Sequence, residues 1–210
     1  MKHPHLLRLW PLLPCALIGF LAGCDVIPPA QDDPTRYFIL SDPAVRAAQA
    51  PVAGALRLGL RPVQVESYLK KKQMVVRTGA NEVEFKDYRR WAEPLDASIA
   101  RVLRASLLAS PGVAQVQAEP FPFDQQRDFD VSIEVRRFEG AVVSGRFVAS
   151  FSATVEIWTV GTDAHLVARK QFTAPDSAWD GKDYDQLASL LSADVSALGQ
   201  EVVADLPAKG

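Results

Sequence analysis

Two stretches of strict alternation dominate the chain. Phe129, Val131, Ile133 and Val135 alternate with Asp130, Ser132, Glu134 and Arg136. Phe147, Ala149, Phe151, Ala153, Val155 and Ile157 form a second stripe with the same period. A period of two marks a strand with one buried face. Runs 129–138 and 146–160 are therefore predicted as a long antiparallel hairpin, connected through GAVVSG at 140–145. Shorter strand patterns fall at 35–40, 55–65, 113–117 and 166–174. In 55–65, Leu56, Leu58 and Leu60 oppose Arg57, Gly59 and Arg61, and Pro62 predicts an edge position or a bend. Residues 68–85 read as a basic loop and then a hairpin, with arms at 74–78 and 82–85 and a turn at Gly79-Ala80-Asn81.

Helical spacing takes over twice. Leu95, Ile99, Val102, Leu103 and Leu107 share one face, Pro94 suits the first turn, and Ser110-Pro111-Gly112 ends the run. Tyr184, Leu187, Leu191, Val195, Leu198 and Val202 predict a second helix from about 183 to 205. Their near-heptad spacing would also suit a coiled coil. Over so short a run, an amphipathic helix packed on a sheet is the plainer reading. Residues 35–207 are thus expected to form a single α+β domain: a mainly antiparallel sheet with two amphipathic helices packed on one face.

The first residues break this pattern. Lys2 and Arg8 precede PLLPCALIGFLAG, an apolar run too short to span a bilayer, and no acid occurs before Asp25. Leu21-Ala22-Gly23-Cys24 resembles a bacterial lipobox. The small residues suit a peptidase cleft, and the Cys24 thiol is the atom that receives lipid. Residues 1–23 are expected to leave as a signal peptide. DVIPPAQDDP, residues 25–34, then serves as a tether of at most roughly 35 Å. One acyl chain binds a bilayer only marginally, so several chains on Cys24 would give a lasting anchor in the cell envelope.

Composition narrows the chemistry. The 210 residues carry 23 Lys+Arg against 25 Asp+Glu, a balance that gives no electrostatic reason to expect nucleic acid. Cleavage before Cys24 removes Cys15, His3 and His5. That leaves no pair of cysteines for a disulfide and no Cys/His ligand set for zinc. No metal or cofactor is expected beyond the covalent lipid. His165 would be the only histidine left for a catalytic triad. It sits in GTDAHL between two strand patterns, as a turn residue does, and no G-x-S-x-G elbow occurs. The chain is therefore read as a non-enzyme.

The remaining candidates are contact residues. Lys70-Lys71-Lys72 is either a solvated loop, the plainer reading, or a contact for anionic headgroups or an acidic partner. Trp179, in a loop before the last helix, is a possible partner anchor. RRWAEPL, residues 89–95, packs Arg89, Arg90, Trp91 and Glu93 directly ahead of a helix. No catalytic partner for it stands elsewhere in the chain. Trp91 is expected over the helix–sheet junction, with Glu93 near the helix N-terminus, where a negative charge is favourable, and with the two arginines free to face a partner.

Three features stand in order: the lipobox with Tyr37-Phe38-Ile39-Leu40; Tyr68-Leu69 followed by Gln73-Met74-Val75-Val76-Arg77; and Trp91-Ala92-Glu93-Pro94-Leu95, with Phe138-Glu139-Gly140 downstream. Together they resemble the PqiC/YmbA family of ABC-type transport auxiliary lipoproteins over nearly the whole chain after the signal. The resemblance implies a non-catalytic envelope lipoprotein. Its partners would be a mammalian-cell-entry (MCE) domain protein and its ABC permease and ATPase, in a system moving lipids or other apolar molecules between membranes. It also makes Tyr68 and Arg77 signature positions. A homo-oligomeric ring would suit a conduit of cyclic symmetry. Lys70-Lys71-Lys72 departs from the acid, base and proline that relatives tend to carry there. The family role suggests the periplasmic face of the outer membrane, while Asp25 after the cysteine favours the inner membrane under enterobacterial sorting. Another envelope assembly or enzyme-activating lipoprotein is the alternative.

Overall fold

The computed structural model describes residues 32–41, 50–123 and 125–207. The chain divides into two units, Met1–Pro34 and Thr35–Gly210. The signal, Cys24, Asp25 and most of the tether lie outside the described residues. The second unit runs β1 (Arg36–Phe38), β2 (Leu56–Leu60), β3 (Gln64–Val65), a 3-10 turn (Ser67–Lys70), β4 (Gln73–Gly79), β5 (Glu82–Trp91), α1 (Leu95–Leu108), β6 (Val113–Ala118), β7 (Phe129–Val143), β8 (Arg146–Thr159), β9 (Leu166–Thr173), β10 (Ser177–Ala178) and α2 (Tyr184–Asp205). These strands form one sheet.

β7 is the axis of that sheet. Along one edge it carries β8 antiparallel, from Phe129↔Thr159 to Val143↔Arg146. Along the other it carries three short strands in succession, all parallel: β2 at Leu58↔Phe129, β3 at Val65↔Val135 and β4 at Val76↔Gly140. β8 then bears β9 and β10, β2 bears β6, and β4 bears β5, which bears β1. The α+β class and the two helices on one face agree with the expectation from sequence. The expectation of a mainly antiparallel sheet is amended, because five of the nine strand pairings are parallel. The parallel pairs join strands that are connected by long crossovers instead of tight turns. Pro62 breaks the 55–65 strand without reversing it, so β2 and β3 continue along the same edge of β7 in one direction. The backbone amides of Arg61 and Glu66, on either side, donate to the carbonyls of Val131 and Val135 at 3.0 and 3.2 Å.

Other boundaries shift for local reasons. β7 runs through Gly140 to Val143, which the sequence had assigned to a connection. The turn is only Ser144-Gly145, with φ of 50° and 75°, the two positive values that a tight type I′ hairpin needs. β5 extends to Trp91, so Arg89 and Arg90 stand on a strand. Pro94 is the cap of α1 rather than a residue of its first turn. α2 begins after Asp183, whose carboxylate accepts from the amides of Asp185 and Gln186 at 3.0 and 3.2 Å.

The core lies between the sheet and the helix pair. Leu58, Ile133, Val135 and Ile157 meet Ile99, Leu103, Leu187, Leu191 and Leu198, all buried. By length and composition α2 could cross a membrane, yet 56% of its most apolar window is buried inside the body. The helices cross closely at Gly199, where a β-carbon would stand 2.4 Å from Ser106 Oγ. That hydroxyl donates to the Ser196 carbonyl at 2.9 Å.

One group in α2 is poorly housed. Asp194 is 7% exposed, and its Oδ2 has no partner among the described residues. Burial pushes its carboxyl up to about 6 from an ordinary 3.8. A raised folded-state pKa favours folding below the unfolded value, and that advantage is lost as pH rises through about 6. Asp194→Asn is therefore expected to stabilise the protein at pH 7.5 by on the order of 1–3 kcal/mol. The gain should fade as pH drops below the ordinary carboxylate range. Denaturant unfolding at both pH values checks this; an equal effect at both would refute it.

Candidate functional site

The signature residues converge on three consecutive positions of β7. Alternation sends Phe138 and Gly140 towards the helices and Glu139 to the opposite face. Each meets a different distant segment. Phe138 packs on Trp91 at 5.8 Å between centroids and edge-on to Phe151 at 5.5 Å. Gly140 lies under Trp179, whose ring would stand 2.7 Å from an added β-carbon. Only a residue without a side chain lets that indole rest on the backbone.

Glu139 is the charged member. Its side chain is 0% exposed. Arg77 Nε donates to Oε1, and the Tyr68 hydroxyl stands 2.9 Å from Oε2. That hydroxyl also lies 3.2 Å from the Arg136 carbonyl. It has one proton to give, and the charged, nearer carboxylate is the stronger acceptor. Arg136 sits where the β7–β8 register shifts, between Val135 and Arg137. Burial and Glu139 both push the Tyr68 hydroxyl well above its usual range. Burial works against the Arg77 charge, but the hydrogen bond and field of Glu139 outweigh it, so its affinity for the proton rises. Tyr68 and Arg77 thus form a donor pair around one buried carboxylate, which closes the fold at the 3-10 turn.

The remaining candidates divide into buried and exposed. Trp91 is 3% and Trp179 5% exposed, so both rings spend their area inside the body. Trp179 Nε1 donates to the Asp183 carbonyl, and its ring stands edge-on to Phe147 and Tyr184 at 5.7 and 5.2 Å. Glu93 pairs with Arg101 at 2.7 Å, and the same guanidinium donates to the Leu40 carbonyl at 2.9 Å. The Arg101 hydrogen bond holds the Glu93 carboxyl below its usual range. Residues 89–95 are thus a corner that ties β1 to the start of α1. Arg89 lies over the Tyr184 ring at 5.7 Å, and Arg90 donates to the Asp87 carbonyl. Lys70, Lys71 and Lys72 are exposed. The Lys71 ammonium sits 4.3 Å from the Phe85 ring centroid, and the Lys72 carbonyl accepts from the Trp91 amide at 2.7 Å.

His165 is exposed, and its Nδ1 lies 3.1 Å from Thr159 Oγ1 in the turn between β8 and β9. Among the described residues no cluster of His, Cys, Asp and Glu could hold a metal. The main clefts on the described surface are lined largely by polar and charged groups. One of about 280 Å³ lies on the open sheet face among Glu66, Ser132, Glu134, Thr154 and Glu156.

In the sequence, Phe138-Glu139-Gly140 stands only as a pattern, and nothing beside it gives Glu139 a role. The available signal was an acid inside an apolar strand run, which asks for a buried partner.

A family model described as "ABC-type transport auxiliary lipoprotein component" matches residues 38–203. No curated protein matches. A crystal structure of a Xanthomonas campestris protein superposes with a TM-score of 0.61 at 18% identity, covering 80% of this chain and 90% of that one. A second crystal structure, of an uncharacterised protein, gives 0.60 at 19% identity, with 82% and 99% covered. Both likenesses concern the fold.

Proposed function

Since the chain belongs to the family of ABC-type transport auxiliary lipoprotein components, we propose that it is the non-catalytic accessory subunit of an MCE-type system. In this reading acylated Cys24 holds it in the bacterial envelope, facing the periplasm, and it docks where an MCE conduit meets the membrane. The system would move lipids or other apolar molecules between inner and outer membranes. One observation carries the non-catalytic part. The residues that carry the family pattern, Tyr68, Arg77, Trp91 and Phe138-Glu139-Gly140, are spent on one another inside the fold instead of lining a cleft. What they preserve is a shape, and a preserved shape serves docking. The outer membrane is the expected site of the anchor, with Asp25 as the reason to test it, and a ring of copies would match a conduit of cyclic symmetry.

Crosslinking in membranes followed by pull-down tests this. An MCE-domain protein with its permease and ATPase is the expected catch. Recovery of cell-wall synthases or assembly factors in their place would move the protein to the alternative class. Fractionation of wild type and Asp25→Ser reads the membrane directly. A monomeric mass, alone and with the MCE partner, would remove the ring.

A further inference from the structure

Three of the most exposed large apolar side chains stand together. Tyr37 and Ile39 are each 60% exposed and Tyr88 is 55% exposed. β1 pairs with β5 so that Tyr37 faces Arg90 and Phe38 faces Trp91. Phe38 and Trp91 turn inward, Phe38 meeting Tyr184 at 6.3 Å. Alternation therefore places Tyr37, Ile39 and Arg90 on the opposite face, and Tyr88 lies beside them in the β5 stretch where the register with β4 shifts and both Asp87 and Tyr88 are exposed. The Lys70–Lys72 run adjoins it. Its Lys72 carbonyl holds the Trp91 amide, and Lys71 lies over Phe85 of the same strand. No ion pair within the described residues uses Lys70, Lys71, Lys72 or Arg90. The result is an aromatic and aliphatic patch edged by cations that have no carboxylate partner among the described residues, with Tyr37 and Ile39 also bordering a cleft that holds Asp180, Asp183 and Asp185.

The chain supplies the occupant. The tether enters the second unit at Thr35, one residue before β1. A ten-residue linker reaches at most roughly 35 Å, so this corner is the part of the body nearest, along the chain, to Cys24. Tyrosine with lysine and arginine is the composition suited to the headgroup level of a bilayer, where a ring is half solvated and a cation meets phosphate. We infer that the uncovered face of the β1–β5 corner, with Tyr37, Ile39 and Tyr88 rimmed by Lys70–Lys72 and Arg90, rests on the anionic lipid surface that holds the Cys24 anchor. The inference relies on the lipidation proposed above. It gives the lysine run the role that a solvated loop would deny it.

The test uses the lipidated protein in vesicles of phosphatidylcholine, with and without one-third phosphatidylglycerol. An environment-sensitive dye is placed on Tyr88→Cys and, as a control, on Ser189→Cys, exposed on the outer side of α2. A blue shift at 88 that needs phosphatidylglycerol, with none at 189, is the expected result. Changing Lys70, Lys71 and Lys72 to Glu should remove the phosphatidylglycerol-dependent shift at 88 while the anchored protein still floats. Flotation with no shift at 88, or equal shifts at both positions, overturns the proposal and leaves the anchor standing. Failure to float overturns the anchor and this inference with it. A shift at 88 that appears only when the pulled-down partner is added assigns the face to a protein and overturns the lipid contact.

Discussion

Arg77→Met is expected to destabilise the protein by about 3–5 kcal/mol, because it leaves a carboxylate buried without its cation. Glu139 has no solvent contact, and Tyr68 alone remains to satisfy it. Removing both charges should behave differently. In the double variant Arg77→Met, Glu139→Leu no ion is stranded, and well-packed apolar replacements of buried pairs are often neutral. Much of the lost stability should return, apart from the Tyr68 hydroxyl, which keeps only the Arg136 carbonyl at 3.2 Å. Urea unfolding of the two single variants and the double measures the coupling. If Arg77→Met costs less than about 1 kcal/mol, the pair is behaving as an exposed one and its role in closing the fold is wrong.

Trp91→Ala should cost a similar amount, about 3–5 kcal/mol, through the cavity left beneath the β5–α1 corner. The ring is 3% exposed and packs on Phe138, which in turn packs on Phe151, so one truncation loosens a chain of three rings. Trp91→Phe retains an aromatic contact and should lose less. The same variants separate stability from docking. A Trp91→Ala protein with wild-type unfolding that no longer captures its partner would make Trp91 a contact residue and sink the structural reading.

Period and spacing carried much of the architecture. Both helices, their buried faces and the two long antiparallel strands were legible, because burial of one face imprints directly on the sequence. Direction was not. Leu58, Val65 and Val76 read alike whether their partner strand runs up or down, and nothing near them in sequence shows that all three lie on one edge of β7. The end of the hairpin was misplaced because Gly140-Ala141-Val142-Val143 lacks alternation, although Ser144-Gly145 is itself a turn signal. Glu139 was missed for a different reason. A glutamate in a strand suggests solvent, and the guanidinium that buries it comes from 62 residues away. The exposure of Tyr37 and Tyr88 was not legible, because it cannot be read from strand residues whose covering layer is unknown.

The parallel edge of β7 has a consequence for how the chain comes into being. β2, β3 and β4 are all made before the strand they pair with. Until residue 143 has emerged, β4 has only β5 and β2 only β6 to pair with, and the edge that each presents to β7, like all of β3, stays open. Waiting open strands of this kind invite pairing with other chains. The wait also postpones the loop-closure entropy to a late step, which slows folding. A chain of this topology therefore keeps several strand edges open until its central strand arrives.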